Sequence, residues 1–362
     1  MKAIILAAGI GSRLRPVTLT TPKPLVPVAN RPLIAYALDM IRGAGMDEVG
    51  IVVNSMESAV VKRIGDGERL GVKVTYIVQE QQLGLAHAVS LCRDFIGDDP
   101  AFAMFLGDNI FQDKMEKLLR EFESTEWEAA IALGEVPDPE RFGVGVIGED
   151  GSITELLEKP NPAPSNWAVA GVYLFRTLSI FDAISKIKPS ARGELEITDA
   201  IDMVIKSGKP VQAYTLDGWW IDAGKPKPII EANQLVMSEM PYSPAPINEG
   251  VDENSDVSPR VILGENVEIV GSVVRGPAVI GDNVKIINSY VGPYTSLGDN
   301  VEIENSEIEA SIVMRGSKIR NIPGRIDSSL LADNAVVEAA GGNVPRAQRF
   351  VLAENSVVQV GG

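Results

Sequence analysis

The chain has 362 residues, 45% of them hydrophobic and 23% charged, which is the balance of a soluble globular protein long enough for two domains. A formal net charge of −16 argues against nucleic acid or an anionic membrane as a partner. No apolar run has transmembrane length, and no signal-peptide pattern is recognised. The single cysteine, Cys92, excludes an internal disulfide, so we expect a cytoplasmic protein with Cys92 as a small core residue.

The first thirty residues carry the most informative pattern. Residues 3–8 form an apolar run that predicts a strand buried on both faces, and the run ends at Gly9-Ile-Gly11. The two glycines permit a tight turn whose N–H groups can converge on an anion, so a phosphate chain is the expected ligand. Arg13 and Lys23 add positive charge in a stretch that has no acidic residue before Asp39. A dinucleotide fingerprint and a P-loop are both excluded, because the third glycine and the Gly-Lys-Ser/Thr triplet are missing.

Residues 33–236 alternate between helical and strand-like stretches. Helices are predicted over 33–42 and 57–64 and from residue 85, and strands over 49–53, 72–78, 102–106 and 153–157. This alternation predicts an α/β fold with a mostly parallel sheet. Ligands of such sheets bind at the carboxyl ends of the strands.

Two aspartates stand where such ligands would bind. Asp108 follows the strand predicted over 102–106, and Asp222 lies in Trp220-Ile-Asp222. Two carboxylates from separate strand ends can hold Mg²⁺, although each one alone is as readily a helix cap or a turn residue. Gln79 follows another strand, where its amide can contact a base edge or simply form a surface turn. We interpret His87, the only histidine, as a packing or supporting residue and not as a general base.

The C-terminal part has a different character. Residues 239–259 contain four prolines among acidic and small polar residues, which predicts a linker. Beyond them, Gly-Glu/Asp-Asn-Val-x-Ile recurs from Gly264, Gly281 and Gly298. This repetition predicts stacked β coils, and it fades after about Gly324, where a capping coil is expected. We therefore predict three segments: a catalytic domain (1–238), a linker (239–259) and a repeat domain (260–362).

The motifs together resemble a known family. Leu-Ala-Ala-Gly-x-Gly-Ser-Arg-Leu-x-Pro, followed by Pro-Lys-Pro-Leu-x-Pro-Val, resembles the N-terminal motif of the sugar-phosphate nucleotidylyltransferases. With its repeats, the whole chain is similar to the long-form glucose-1-phosphate thymidylyltransferases. The resemblance implies a Rossmann-like nucleotidyltransferase domain followed by a left-handed parallel β-helix of the hexapeptide type. It also implies Mg²⁺-dependent transfer from dTTP to glucose 1-phosphate by direct in-line attack, giving dTDP-glucose and pyrophosphate.

The resemblance also implies a role for each matching residue. Those roles are catalysis by Arg13 and Lys23; nucleotide binding by Leu6, Ala8, Gly9, Gly11, Gln79 and Gly84; sugar-phosphate binding by Gly143, Glu158, Lys159, Val172 and Arg192; and metal binding by Asp108 and Asp222.

Other functions stay open at this point. UTP or another hexose 1-phosphate would need only small changes around Gln79 and the sugar pocket. A non-catalytic regulatory or scaffold subunit of the same fold is a second alternative, although the charged residues that it would lose are present here. An acyltransferase in the repeats is disfavoured, because the one histidine precedes them. We expect the repeats to support homo-oligomerisation or to brace the catalytic domain.

Overall fold

The computed structural model describes residues 1–246, 249–339 and 356–358. The chain forms two compact units: the first consists of Met1–Gly9 and Leu33–Asp222, and the second of Ile10–Pro32 and Ala223–Gly362. These units divide the chain differently from the predicted domains, which place residues 10–32 with the first part. Gly9 therefore belongs to the first unit, whereas Gly11, Arg13 and Lys23 belong to the second.

The elements up to residue 238 are numbered in chain order. They are β1 (Lys2–Leu6), β2 (Pro27–Val28), β3 (Arg31–Pro32), α1 (Leu33–Gly43), β4 (Glu48–Val53), α2 (Ala59–Ile64), β5 (Lys73–Val78), α3 (Leu85–Ser90), α4 (Arg93–Ile96), β6 (Ala101–Leu106), β7 (Asn109–Phe111), α5 (Glu116–Glu121), β8 (Ala129–Glu135), β9 (Gly143–Ile147), β10 (Ile153–Glu158), β11 (Trp167–Arg176), α6 (Thr177–Ile184), α7 (Ile197–Lys206), β12 (Val211–Thr215), β13 (Trp220–Asp222) and α8 (Pro226–Ser238).

The elements after residue 238 are short strands. They are β14 (Asp256–Val257), β15 (Val261–Leu263), β16 (Glu268–Val270), β17 (Val273–Val274), β18 (Ala278–Ile280), β19 (Lys285–Ile287), β20 (Tyr290–Val291), β21 (Thr295–Leu297), β22 (Glu302–Glu304), β23 (Glu307–Glu309), β24 (Ile312–Val313), β25 (Lys318–Arg320), β26 (Arg325–Asp327), β27 (Leu330–Leu331) and β28 (Val336–Glu338).

The predicted elements are confirmed, with shifts at their ends. The first strand stops at Leu6, two residues before the end of the apolar run. Helix α2 begins at Ala59, because Ser58 caps it by accepting a hydrogen bond from the Val61 N–H. The helix predicted from Leu85 is divided at Leu91 and Cys92 into α3 and α4.

The first unit is built on a nine-stranded mixed sheet. Strands β1, β4, β5 and β6 are parallel neighbours, as predicted, and Leu6 lies opposite Leu106. Beyond β6 the sheet is mixed, because β11 runs antiparallel to β6, β8 and β9, whereas β12 runs parallel to β8. The predicted α/β fold is confirmed, with the antiparallel strands on the side of the sheet beyond β6.

The sheet core explains the uniformly apolar strands. Ala3, Ile4 and Ile5 of β1 have no exposed surface, as expected for a strand covered on both faces. Cys92 is fully buried and its thiol donates to the Ala88 carbonyl, which confirms the prediction of a core residue. Burial raises the pKa of Cys92 to about 12, so the reactive thiolate is strongly disfavoured.

The repeats of the second unit form three parallel five-stranded sheets, the arrangement expected of a left-handed β-helix. Ile269, Ile286, Ile303 and Ile319 stack in register and are fully buried. The recurring glycine has a steric cause: a Cβ on Gly264 would lie 2.6 Å from the backbone carbon of Gly281 in the next coil.

The coils do not end where the sequence pattern fades. Strands β26, β27 and β28 add one further rung to each sheet. Ile326, Leu331 and Val337 pack against the core of the repeats, and the Arg325 guanidinium donates to Glu307 and Glu309 of the preceding coil, so the stack continues after the Gly-Asp-Asn motif is lost. This further coil follows Gly324, where the sequence pattern predicts a capping coil.

The predicted linker contains no helix or strand before β14 in its described residues. Arg260 follows it and closes the carboxyl end of α8, because its guanidinium donates to the carbonyls of Met237, Ser238 and Met240. None of the helices in the described residues is long and apolar enough to cross a membrane.

Candidate functional site

The parallel strands of the first unit bring several predicted residues to one edge of the sheet. The Gly107 N–H donates to the Leu6 carbonyl (3.1 Å), and the Gln79 N–H donates to the Val53 carbonyl (2.8 Å). The segments after β1, β5 and β6 therefore leave the sheet at the same edge. Ala8, Gln79 and Asp108 all lie in these segments, as predicted from the strand ends.

The two predicted metal ligands are brought together by a short strand pair. Strand β7 pairs antiparallel with β13, and the register places Asn109 opposite Asp222. Asp108 precedes Asn109, so the two carboxylates lie at the same end of this ribbon. Two hard oxygen donors match the preference of Mg²⁺ for few protein oxygens supplemented by phosphate and water. Within the described residues no cluster of three or more His, Cys, Asp or Glu side chains competes as a metal site.

A hydrogen-bonded chain orients Asp108. The Trp220 indole donates to Asn109 Oδ1 (2.6 Å), and Asn109 Nδ2 donates to Asp108 Oδ1 (2.9 Å). Asn109 is 3% exposed, so both of its side-chain contacts are made away from solvent. Sequence reasoning missed Asn109 and Trp220, because their contact joins residues that are 111 positions apart. Adjacency to the two aspartates was the only available signal.

Gln79 lies in a fixed orientation after β5. Its Nε2 donates to the Gly84 carbonyl (3.2 Å) and lies 3.1 Å from His87 Nδ1, and Gln79 is only 5% exposed. Because an amide nitrogen only donates, His87 Nδ1 accepts, and its own proton is then on Nε2. The side-chain oxygen of Gln79 remains the acceptor. His87 therefore supports Gln79, which is the supporting role predicted for it.

Gly84 is required by its surroundings. Its φ of 105° lies in a region that favours glycine, and a Cβ would lie 2.4 Å from the Leu195 carbonyl oxygen. The Leu195 backbone bonds to both sides of Gly84, since its N–H donates to Leu83 and its carbonyl accepts from Ala86. Gly84 thus lets the segment after β5 pack directly on the segment that precedes α7.

The predicted sugar-phosphate residues form one cluster. Gly143 on β9 lies opposite Glu158 on β10, and Lys159 follows with a left-handed φ of 46°. Glu158 Oε1 is 3.0 Å from the Arg192 guanidinium and 3.5 Å from Lys159 Nζ. The structure therefore unites Gly143, Glu158, Lys159 and Arg192. Val172 lies elsewhere in the sheet, buried on β11 opposite Phe105.

Several carboxylates surround Arg192, and Glu196 is the buried one among them. Its guanidinium is 2.9 Å from Oε1 of Glu196, a residue that is 4% exposed, and Ser190 also donates to that oxygen. Thr198 donates to the other oxygen of Glu158 (3.1 Å). Asp199 lies three residues after Glu196. Desolvation raises the pKa of Asp199, and the charges of Glu196 and Glu158 raise it further. Sequence reasoning named Arg192 and Glu158 separately but did not recognise Glu196 or Thr198 as their supports.

The second unit contains the remaining predicted residues. Gly11 is left-handed (φ 66°) and begins a short turn over Ser12–Leu14, and its carbonyl accepts from the Thr18 hydroxyl (2.7 Å). A Cβ on Gly11 would lie 3.1 Å from the Cβ of Lys23, so these two residues are packed together. Lys23 is 8% exposed, whereas Arg13 is exposed. Gly9, in the first unit, has open space where a Cβ would lie.

A sequence profile described as nucleotidyl transferase matches residues 2–239. The chain belongs to this family. The matched residues of this nucleotidyl transferase include every site residue predicted from the sequence.

Full-length relatives extend the similarity beyond the profile. A Streptomyces griseus protein named glucose-1-phosphate thymidylyltransferase is 44% identical over 361 residues, which cover 99% of both chains. The low-salt glycan biosynthesis nucleotidyltransferase Agl11 of Haloferax volcanii is 43% identical over 363 residues, covering 99% of this nucleotidyl transferase and all of Agl11. These alignments include the repeats.

A solved structure supports the fold of the first part. A Bacillus anthracis protein assigned as a glucose-1-phosphate thymidylyltransferase, crystallised with sucrose, superposes with a TM-score of 0.62 at 40% identity. The match covers 67% of this nucleotidyl transferase and 97% of that chain.

Proposed function

We propose that this nucleotidyl transferase catalyses the reaction of dTTP with glucose 1-phosphate to give dTDP-glucose and pyrophosphate. The observation that carries the proposal is the strand pairing that brings Asp108 and Asp222 together, at the edge of a sheet whose strands β5 and β1 end before Gln79 and Gly9. The full-length similarity to the Streptomyces griseus thymidylyltransferase supports the choice of substrates.

Asp108 and Asp222 are the residues that would hold Mg²⁺. Their carboxylate oxygens are the ligand type that this ion prefers, and Asn109 fixes the direction of Asp108 by a hydrogen bond. When bound, Mg²⁺ supplies charge neutralisation for the phosphates of the nucleotide.

The nucleotide would be bound by backbone groups and by Gln79. The exposed turn at Gly9 and the left-handed Gly11 suit close approach of a triphosphate to the backbone, and Leu6 and Ala8 border that turn. The Gln79 oxygen, left as an acceptor by the contacts of Nε2, suits the N–H of a pyrimidine ring. Gly84 holds the loop that carries these contacts.

Glucose 1-phosphate would be bound by the cluster around Glu158. Lys159 supplies positive charge for the sugar's phosphate, Glu158 accepts from sugar hydroxyls, and Gly143 leaves room for the ring. Arg192 holds Glu158 in place, and we also propose it as a second contact to the phosphate. The family resemblance also assigns a backbone contact to Val172, which lies outside this cluster on β11.

The chemical step needs positioning and charge neutralisation more than a protein nucleophile. A phosphate oxygen of glucose 1-phosphate attacks the α-phosphorus of dTTP, and the bond to the pyrophosphate oxygen breaks on the opposite side. Arg13 would neutralise charge that grows on pyrophosphate, and Lys23 would hold the phosphates of the nucleotide. No protein group forms a covalent intermediate in this reaction.

A substrate panel tests the proposal. Each of dTTP, UTP, ATP, CTP and GTP is combined with glucose, galactose, mannose and N-acetylglucosamine 1-phosphates in millimolar Mg²⁺, and pyrophosphate release is measured. We expect the highest kcat/KM for dTTP with glucose 1-phosphate. A higher value for UTP would establish the uridylyl alternative, and a different best sugar would overturn the assignment of glucose.

A scaffold function predicts a different outcome of the same panel, because no combination would release pyrophosphate. The presence of Arg13, Lys23, Asp108, Lys159 and Asp222 favours the enzyme.

A further inference from the structure

A buried asparagine in the second unit joins three segments that are distant in sequence. Asn233 of α8 has no exposed surface. Its Oδ1 accepts from the Ala29 N–H (2.8 Å) and from the Ser296 hydroxyl (3.1 Å), and its Nδ2 donates to the Tyr294 carbonyl (2.9 Å). One side chain thus links the β2–β3 hairpin, α8 and a coil of the repeats.

A second asparagine makes the same connection from the hairpin side. Asn30 Nδ2 donates to the Leu297 carbonyl (2.6 Å) and the Val279 carbonyl (3.3 Å). Val279 and Leu297 lie on β18 and β21, which are paired strands of successive coils. Asn30 therefore spans two coils of the repeats.

The hairpin has the backbone that these contacts need. Ala29 and Asn30 are both left-handed, with φ of 48° and 59°, as in a type I′ turn. Asparagine tolerates this region, whereas alanine is uncommon there. The left-handed Ala29 donates its N–H to Asn233. The residue with the strained backbone is therefore the one that bonds the hairpin to α8.

The hairpin ends the segment that carries Gly11, Arg13 and Lys23. Lys23 lies four residues before β2, and α8 begins four residues after Asp222. The segment of Arg13 and Lys23 is therefore tied to two successive coils through Asn30, and the helix that follows Asp222 is tied to one of these coils through Asn233. A part of the protein with no proposed catalytic group makes these connections.

We infer that the repeats position the segment of Arg13 and Lys23 through Asn30 and Asn233, so that the β-helix is needed for full catalytic rate. This inference rests on the proposed function of Arg13 and Lys23. Asn30 and Asn233 are positioning residues, since the reaction would reach them only through the hairpin. The role is distinct from oligomerisation, because every contact lies within one chain.

The sharpest variant is Asn30→Gly in the full chain. Glycine adopts the left-handed backbone without strain, so only the two side-chain hydrogen bonds to Val279 and Leu297 are lost. Ala29→Gly is the matched control. It adds the same backbone freedom at the neighbouring turn residue and keeps the backbone N–H that donates to Asn233 Oδ1. Ser272→Ala is a second control, since it removes buried hydrogen bonds of the repeats that do not involve the hairpin.

We expect Asn30→Gly to lower kcat with dTTP and glucose 1-phosphate by about 10-fold, because small displacements of catalytic groups cost that much or more. Its Tm should match those of the two controls within a few degrees, and the controls should retain the parental kcat. Hydrogen exchange of residues 10–26 should be faster in Asn30→Gly than in either control.

Three outcomes would overturn the inference: parental kinetics in Asn30→Gly, an activity loss equal to the loss of folded protein, or exchange of residues 10–26 that matches the controls. If Asn30→Gly does not fold, Ser296→Ala replaces it, since that variant removes the hydroxyl that donates to Asn233 Oδ1, introduces no charge and leaves the Ala29 N–H bonded to the same oxygen. The variant Arg13→Ala distinguishes a failure of the proposed function from a failure of the positioning role. Full activity of Arg13→Ala refutes the proposed function, whereas an inactive Arg13→Ala with a fully active Asn30→Gly refutes only the positioning role.

Discussion

Replacing Trp220 by phenylalanine tests whether Asn109 orients a metal ligand. The change removes the indole N–H that donates to Asn109 Oδ1 at 2.6 Å and keeps most of the aromatic ring. The remaining ring can still pack near Phe142, whose centroid is 5.5 Å from that of Trp220. Because Asn109 is buried, its oxygen would lose a partner without gaining water, which costs about 1–3 kcal/mol of unfolding free energy.

The functional effect of Trp220→Phe should exceed this structural cost. Asn109 Nδ2 donates to Asp108 Oδ1, and loss of such a supporting contact typically lowers metal affinity about 10- to 100-fold. We expect the Mg²⁺ concentration for half-maximal activity to rise by about 10-fold, with kcat largely recovered at saturating Mg²⁺.

Two measurements decide the outcome: urea unfolding, and a Mg²⁺ titration of pyrophosphate release. Trp127→Phe is the matched control, because Trp127 lies before β8 and outside the β7–β13 ribbon. An unchanged Mg²⁺ midpoint together with the expected stability loss would show that Asn109 is structural only. That result would refute the reasoning that links it to Asp108.

Three further predictions concern single residues. Arg13→Ala should lower kcat by about 10²-fold with an unchanged Tm, the effect of losing one preorganised donor, and parental kcat would contradict its role. Gly84→Ala should cost about 1–3 kcal/mol in urea unfolding and raise the KM for dTTP, because φ is 105° and the Cβ would meet Leu195; a neutral effect would show that the loop relaxes freely. Asp199→Asn should stabilise the protein increasingly as the pH rises above about 4. The reason is that desolvation and the Glu196 charge raise the folded pKa of Asp199, so its contribution to stability is lost as pH rises through that pKa. A constant stability difference from pH 4 to 8 would contradict this assignment.

Much of the architecture is predictable because it is local. The hydrophobic pattern predicts the strand before Gly9 and the strand before Asp108. The carboxyl ends of parallel strands then lie at one edge of the sheet, whatever the rest of the fold. The repeats can be predicted for a related reason, because a glycine is needed wherever successive coils approach closely, as at Gly264. Near Gly324 this steric requirement ends. The sequence pattern therefore no longer predicts the last coil, which β26–β28 form.

The contacts that could not be predicted join distant segments. Trp220 and Asn109 are 111 positions apart, and Asn30 and Val279 are 249 apart. The sequence around Asn109 or Asn30 does not distinguish either residue from an asparagine in an ordinary turn. The direction of β11 could not be predicted either, since the alternation of helices and strands does not encode it.

Product analysis tests the proposed reaction most directly: the full chain is incubated with dTTP, glucose 1-phosphate and Mg²⁺, and the products are identified by ³¹P NMR and mass spectrometry. We expect dTDP-glucose and pyrophosphate in equal amounts. We also expect inversion at the α-phosphorus when chiral dTTPαS is the donor, because the sugar phosphate attacks directly. Release of dTDP and inorganic phosphate, or retention at the α-phosphorus, would contradict direct nucleotidylyl transfer.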